Sequence, residues 1–269
     1  MKKSTLHFLR LTLIISHNIP VIPGGRVISG IFEYFFKNLK CDVTTKIFNY
    51  EISLDPSESV ERELLFAPQL FDWREIRFLA EALNPGSLFL DLGSNIGGYS
   101  LALSHIVGKN GCIVAVDADP YSFENLCRTI NLNNISQIIP VNKGIWSSDR
   151  DFHFEPQLYG NRGGGRMVLN STDTSIQISC MSLKNLLNDT LGSFEKIAAL
   201  KIDVEGSEYE VLKSFFEDVE KDKWPTRMIV ERSPDNITKN ICKDVNPLLK
   251  SLGYKINFQH GINYAWEKN

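Results

Sequence analysis

Apolar residues recur along this chain with two different periods. Over 27–39 they fall at helical spacing, with Val27, Ile28, Ile31, Phe35 and Leu39 on one stripe. Residues up to about 40 read mostly as helix, broken over 20–25 by Pro-Val-Ile-Pro-Gly-Gly. Over 46–54 apolar and polar positions alternate as in a half-buried strand, and Asp55-Pro56-Ser57 makes a turn. A short helix is expected over 58–65. A second one over 72–83 has Asp72 as its N-cap and Glu75 three residues on, and Asn84-Pro85-Gly86 stops it. From there short apolar runs alternate with helical segments. Strands are expected at 88–90, 112–116 and 138–141, with short ones at 144–146 and 152–154, and helices at 99–107 and 121–131, the latter with Pro120 in its first turn. The pattern breaks over 155–175, where a polar glycine cluster, 159–166, is too long for an ordinary connection. A strand at 176–180, a helix at 183–187, a buried strand from 198, a helix at 208–216, a strand at 227–231, a helix at 246–252 and a hairpin of 254–258 with 263–266 complete the chain. Such alternation predicts a parallel sheet with helices on both faces.

The stretch 87–100 concentrates the candidate chemistry. A strand, the glycines Gly93, Gly97 and Gly98, and a new helix form the opening of a nucleotide-binding βαβ unit. Glycine permits positive φ and close approach of a ligand, and the helix start offers unpaired N–H groups. A dinucleotide fingerprint reads G-x-G-x-x-G, whereas here Asn95 stands at the second glycine position. Asp91 at the strand end would repel a pyrophosphate and suit a ligand that carries positive charge. S-adenosylmethionine, with a sulfonium, an ammonium, one carboxylate and no phosphate, fits that description. The plainer alternative is a tight strand-to-helix turn without a ligand.

Acids at other strand ends extend the pattern. Asp117 ends the second strand, where an acid accepts hydrogen bonds from ribose hydroxyls in nucleoside-binding folds. It could instead cap the next helix, but Asp119, directly before Pro120, suits that role better. Asp203 and Glu205 sit where the fourth parallel strand runs out, and an extended backbone would set Lys201, Asp203 and Glu205 on one side. Lys201 and Asp203 could equally form a structural ion pair. Glu231 ends the next strand and could join them, and His153 lies beside the irregular loop. No H-x-x-x-H, cysteine cluster or carboxylate comb marks a dedicated metal site.

Composition narrows the class. With 269 residues, 43% hydrophobic, and a net charge of −3, the chain suits one large α/β domain with a short N-terminal addition. No basic stripe of a nucleic-acid binder is visible. Five scattered cysteines, Cys41, Cys112, Cys127, Cys180 and Cys242, read as reduced thiols and point to the cytoplasm. The greasy run 6–15 follows Lys2 and Lys3, contains Arg10, and is too short to span a bilayer. It carries no convincing cleavage site, and a packed helix fits it better than an interfacial one. The N-x-S/T sequons at Asn134, Asn170, Asn188 and Asn236 read as chance.

Several of these motifs together resemble the FkbM-type methyltransferases. They are Phe89-Leu-Asp-Leu-Gly-Ser-Asn-Ile-Gly-Gly-Tyr-Ser100, Ala115-Val-Asp-Ala-Asp-Pro120, Asn125-Leu with Leu132-Asn133, the Gly160–Gly165 cluster, and Leu200-Lys-Ile-Asp-Val-Glu-Gly-Ser-Glu208, the most discriminating. The resemblance runs over 47–231 and leaves residues before about 40 uncovered. Asp117 is Glu in many relatives, and Ser94 replaces a usual alanine. The resemblance implies a class I, Rossmann-like fold and S-adenosylmethionine-dependent O-methyl transfer, commonly to sugar or natural-product hydroxyls.

The combined expectation is an N-terminal helical extension, 1–45, that acts as a lid or homo-oligomer contact. A methyltransferase domain, 46–269, follows, with a seven-stranded sheet parallel except for the final hairpin strand. Asp91, Gly93, Asn95, Gly97, Tyr99, Asp117 and Ala118 are the expected cofactor contacts. Asp203 is the first candidate for general base, Glu205 the second and His153 the third, and the glycine cluster near Gly163 shapes the acceptor pocket. The acceptor is expected to be a small molecule or glycan, with no nucleic acid, no stable membrane span and no metal. An NAD-dependent oxidoreductase, disfavoured by Asn95, and a non-catalytic nucleoside-binding module are the alternatives.

Overall fold

In the computed structural model the described residues are 3–18, 25–39, 41–157, 160, 164–168, 171–232 and 242–268. The break at 20–24, Gly163 and the sequons at Asn170 and Asn236 lie outside them. Two helices lead, α1 (Lys3–His17) and α2 (Gly25–Phe36). Strands β1 (Val43–Ile47) and β2 (Tyr50–Leu54) then pair antiparallel. The single strand expected over 46–54 is therefore a hairpin. Phe48 and Asn49 both take positive φ, 51° and 71°, the conformation of a two-residue hairpin turn, but without the glycine that usually announces it.

Helices α3 (Ser59–Phe66) and α4 (Trp73–Ala80) follow. The second stops short of Leu83, and Asp72 does not cap it. Its φ of 38° turns the side chain away, and its carboxylate accepts from the Tyr99 hydroxyl at 3.0 Å. The alternating region contains β3 (Leu88–Leu92), α5 (Gly98–Val107), β4 (Cys112–Asp117), α6 (Pro120–Asn133) and β5 (Ile138–Asn142). It continues through β6 (Gly144–Trp146), β7 (Arg150–Glu155), β8 (Arg166–Val168), β9 (Ile176–Ser182), α7 (Leu183–Leu191), β10 (Ile197–Ile202), α8 (Glu208–Asp218) and β11 (Arg227–Glu231). A short helix, α9 (Asn246–Ser251), precedes the hairpin of β12 (Tyr254–His260) and β13 (Asn263–Lys268).

The main sheet has seven strands in the order β12-β13-β11-β10-β3-β4-β5. Only β13 runs against its neighbours, as expected. Successive residues of β3 face opposite layers. Phe89 joins a core with α4, α5 and α6, whereas Leu90 and Leu92 join a second core with α7 and α8. Both faces are covered, which explains the unbroken apolar runs. From β3 the chain winds outward through β4 and β5, then returns to lay β10 and β11 on the other side. The order reverses between β3 and β10, and such a switch point opens a crevice beyond the strand ends. A second sheet, β6-β9-β7-β8, was not expected as a unit; it closes over Phe152, Phe154, Ile178 and Cys180.

Candidate active site

Past Leu92 the chain must turn into α5 within a few residues. Gly93 takes a φ of 74°, and a Cβ on it would overlap the carbonyl oxygen of Asp203, so no other residue fits. The N–H groups of Gly93 and Ser94 both donate to Val116 at 2.9 Å, and Asp203 N–H donates to Leu92 at 3.0 Å. The loop is therefore clamped from β4 and from β10. Asn95 takes a φ of 49°, and its side-chain oxygen accepts from Ile96 N–H at 2.7 Å, the local bond that lets asparagine stand where glycine is usual. Gly97 is the N-cap of α5. Asp91 is fully buried and accepts from the Ser100 hydroxyl at 2.6 Å and from its N–H at 3.1 Å. Burial raises its pKa. It braces the first turn of α5.

Asp117 ties this loop to the next. One carboxylate oxygen accepts from Asn95 N–H at 2.6 Å and the other from Asp119 N–H at 2.9 Å. Asp119 is the N-cap of α6, accepting from Tyr121 N–H at 3.2 Å. Burial pushes Asp117 up to about 6 against the pull of its two backbone donors. Each of its oxygens keeps a second lone pair for a further donor.

On the far side of the crevice Lys201, 7% exposed, donates to the Gly93 carbonyl at 2.6 Å and pairs with Asp203 at 3.3 Å. Burial pulls the ammonium pKa down, but the charges of Asp203 and Asp91 outweigh it, and the net shift is upward. Burial likewise pushes Asp203 up, but Lys201 and a hydrogen bond from Glu231 hold it below its ordinary value. Burial and the Asp203 charge lift Glu231 to about 10, so it keeps its proton and shares it with Asp203. Lys201 and Asp203 lie together as expected, but the extended backbone ends at Ile202. Glu205 and Gly206 take φ of 55° and 105°, and Glu208 anchors this turn by accepting from Val204 and Gly206 N–H at 3.0 and 3.1 Å. Glu205 stands exposed at the crevice. Surrounding protein that dehydrates its carboxyl, then the charges of Asp203 and Glu208, raise it to about 7. One carboxylate oxygen from each of Asp203, Glu205 and Glu231 falls within 4.8 Å of the others. Those three are the described residues that could hold a cation, beside the ammonium that already neutralises Asp203.

The two sides enclose a cavity of about 340 Å³. Gly93, Asn95, Tyr99, Asp117, Ala118, Asp203 and Glu205 all line it, so most of the predicted residues are brought together. Asp91 and Gly97 sit behind the loop and do not line it. His153 does not reach it either. It alternates with Phe152 and Phe154 on β7, and Phe154 is the one that faces the cavity. Sequence reasoning missed other parts of the wall, among them Val60 and Glu63 from α3, Phe71, Asp72, Lys143 and Asn263. These come from distant segments and carry no local motif. Ser94 also lines the cavity, buried, with no hydrogen-bond partner for its hydroxyl among the described residues.

In overall fold the chain is similar to the methyltransferase FkbM from Methylobacillus flagellatus KT, at 14% identity and a TM-score of 0.45, covering 91% of this chain and 60% of that one. It is also similar to the Pyrococcus abyssi tRNA (uracil-54, C5)-methyltransferase in complex with S-adenosyl-L-homocysteine, at 13% identity and a TM-score of 0.43, covering 84% and 43%. A further likeness is to M. jannaschii TYW2 in complex with AdoMet, at 12% identity and a TM-score of 0.41, covering 86% and 88%. The chain spans less than two thirds of the length of the first two. Comparison with curated protein sequences yields no match. Residues 91–256, well over half of the chain, match the family model of the methyltransferase FkbM domain, a match that takes in the glycine loop, Asp117 and the carboxylates around Lys201. The chain belongs to the FkbM family of methyltransferases, whose methyl donor is S-adenosyl-L-methionine.

Proposed function

We propose that this protein transfers a methyl group to a hydroxyl of a sugar, glycan or natural product. The observation that carries this reading is one cavity with two unlike sides, the glycine loop with Asp117 and the carboxylates around Lys201. The donor set of the first side fits the cofactor. Ser94 holds an unused buried hydroxyl, and Asp117 has spare acceptor capacity. Gly93, Ser94, Asn95, Asp117 and Ala118, with Tyr99, would hold it. When bound, S-adenosylmethionine supplies an electrophilic methyl group on its sulfonium.

The chain's own residues supply alignment, dehydration and a base. Tyr99, Phe71 and Phe154 wall the cavity against water, which favours proximity effects. An acceptor hydroxyl must lose its proton during transfer. We assign that proton to Glu205 ahead of Asp203, because Glu205 titrates at about 7 whereas Asp203 is committed to Lys201 and to the proton of Glu231. Asp203 then orients the acceptor, and His153 has no role in the transfer. An uncharged small molecule or glycan suits this wall better than a nucleic acid, whose phosphates the acids would repel. The scattered cysteines support a reducing, cytoplasmic setting.

Calorimetry with S-adenosylmethionine, S-adenosylhomocysteine and NAD tests the cofactor half, with micromolar binding of the first two expected. Tighter binding of NAD would favour an oxidoreductase and sink the proposal. Methyl-labelled S-adenosylmethionine offered with a panel of saccharides tests the other half. Transfer only to RNA, or binding without transfer to any acceptor, would displace the hydroxyl assignment.

A further inference from the structure

The N-terminal helices carry more apolar surface than the fold uses. One face of α1 is seated. Leu9, Thr12, Leu13 and Ser16 are buried, Gln69 donates to the Ser16 carbonyl at 2.8 Å, and the His17 ring meets the Leu65 carbonyl at 2.7 Å. The packed helix expected from the sequence is therefore present, but on this face only. Away from it stand Leu11, Ile14 and Ile15, and on α2 stand Ile31, Tyr34 and Phe35, each between 49% and 69% exposed. Each triad has the spacing i, i+3, i+4, so each helix turns an apolar strip to solvent. Exposed apolar strips of this kind mark interaction surfaces.

Charge identifies the occupant. Residues 1–40 contain six basic side chains, Lys2, Lys3, Arg10, Arg26, Lys37 and Lys40, against the single acid Glu33. The whole chain has 29 Lys and Arg and 32 Asp and Glu, so the remainder is strongly acidic. Apolar strips within a basic segment match an anionic bilayer surface, where both terms favour binding. Tyr34, with the ammonium of Lys37 4.4 Å from its ring centroid, pairs an aromatic with a cation, as residues at a headgroup layer do. Among the described residues no helix is long and apolar enough to cross a membrane, and α1 has 15 residues. A second copy of the chain is the poorer occupant, because a two-fold contact would press two basic segments together.

We infer that α1 and α2 form a peripheral membrane-docking face for bilayers rich in anionic phospholipid. Phe36 of α2 stacks on Phe66 of α3 at 5.3 Å, and Val60 of α3 lines the cavity. The docked face and the site are thus separated by one helix.

Co-sedimentation of the full chain with vesicles tests this. Expected is binding to phosphatidylcholine mixed with phosphatidylglycerol, weaker binding to phosphatidylcholine alone, and release by added salt. The double variant Ile14→Ser, Phe35→Ser removes two exposed apolar anchors and should weaken binding by about tenfold or more at an unchanged melting temperature. The pair Lys2→Glu, Lys3→Glu should weaken it independently, which covers the event that the first variant misfolds. No sedimentation with phosphatidylglycerol vesicles overturns the inference. So does a dimer, seen by sedimentation velocity, that Ile14→Ser, Phe35→Ser dissociates, since the strips would then belong to a second copy.

Discussion

Replacing Lys201 by Met tests whether the site is held together electrostatically. The substitution keeps an unbranched apolar stem and removes the ammonium. The Gly93 carbonyl loses its donor at 2.6 Å, at about 1 kcal/mol for a bond of this kind. Asp203 loses its partner at 3.3 Å, an attraction of about 5 kcal/mol at an effective dielectric constant near 20. The Asp203 side chain is 36% exposed, so water recovers most of that, leaving about 1–2 kcal/mol. The expected loss in urea unfolding at pH 7 is therefore about 2–3 kcal/mol. The pH dependence has a definite sign. Asp203 is held below its ordinary 3.8, so its contribution is present above that value and fades as pH falls through the depressed one. The gap between wild type and Lys201→Met should narrow in acid, while Lys201→Arg, which keeps the charge, should retain much of the stability at pH 7. A loss below about 0.5 kcal/mol at pH 7, the size of an ordinary surface substitution, or a gap indifferent to acid, would refute the central place given to this lysine.

Gly93→Ala forces a Cβ into the Asp203 carbonyl at a φ of 74°; a loss of about 2–4 kcal/mol from strain and overpacking should appear in thermal melts, with cofactor binding lost in calorimetry. Asp117→Ala should cost about 1–3 kcal/mol in cofactor affinity, and it should also lower the melting temperature, because Asn95 and Asp119 N–H lose their acceptor; an unchanged Kd in a folded variant would leave Asp117 a purely structural tie. Glu205→Gln should lower turnover by about a hundredfold. Because the folded pKa of Glu205 is raised to about 7, its favourable contribution is present below 4.5 and lost as pH rises through 7. The amide should therefore stabilise the fold at pH 8, by up to about 1 kcal/mol after solvent screening, and not at pH 4. His153→Ala should leave Kd unchanged and turnover within about twofold; a large loss would return the histidine to the site.

Much of this fold was legible because its signals are local. The run 88–90 and the glycines after it announce a strand turning into a helix, and Pro120 separates the roles of Asp117 and Asp119. Other features have no local mark. The β1–β2 turn uses Phe48 and Asn49 at positive φ, so the alternation runs through the reversal unbroken. Asp72 has a capping residue's identity and spacing, but its backbone is left-handed and its carboxylate serves Tyr99. Acids at strand ends pointed to the right side of the sheet without saying which reach the cavity. Asp91 is consumed by Ser100, and His153 falls on the wrong side of β7. The α3 wall depends on a packing of distant segments that periodicity cannot express.

Lys201 contacts the loop on one side of the cavity and a carboxylate on the other, so the two half-sites share a single electrostatic element. A ligand that brings positive charge to either half lowers the proton affinity of Glu205 and Glu231 together. Its binding then expels protons into the buffer. By reciprocity its affinity climbs with pH over the range near 7 in which Glu205 titrates. A cationic cofactor in one half can thereby change the protonation of the carboxylates in the other, the proton acting as the messenger between them.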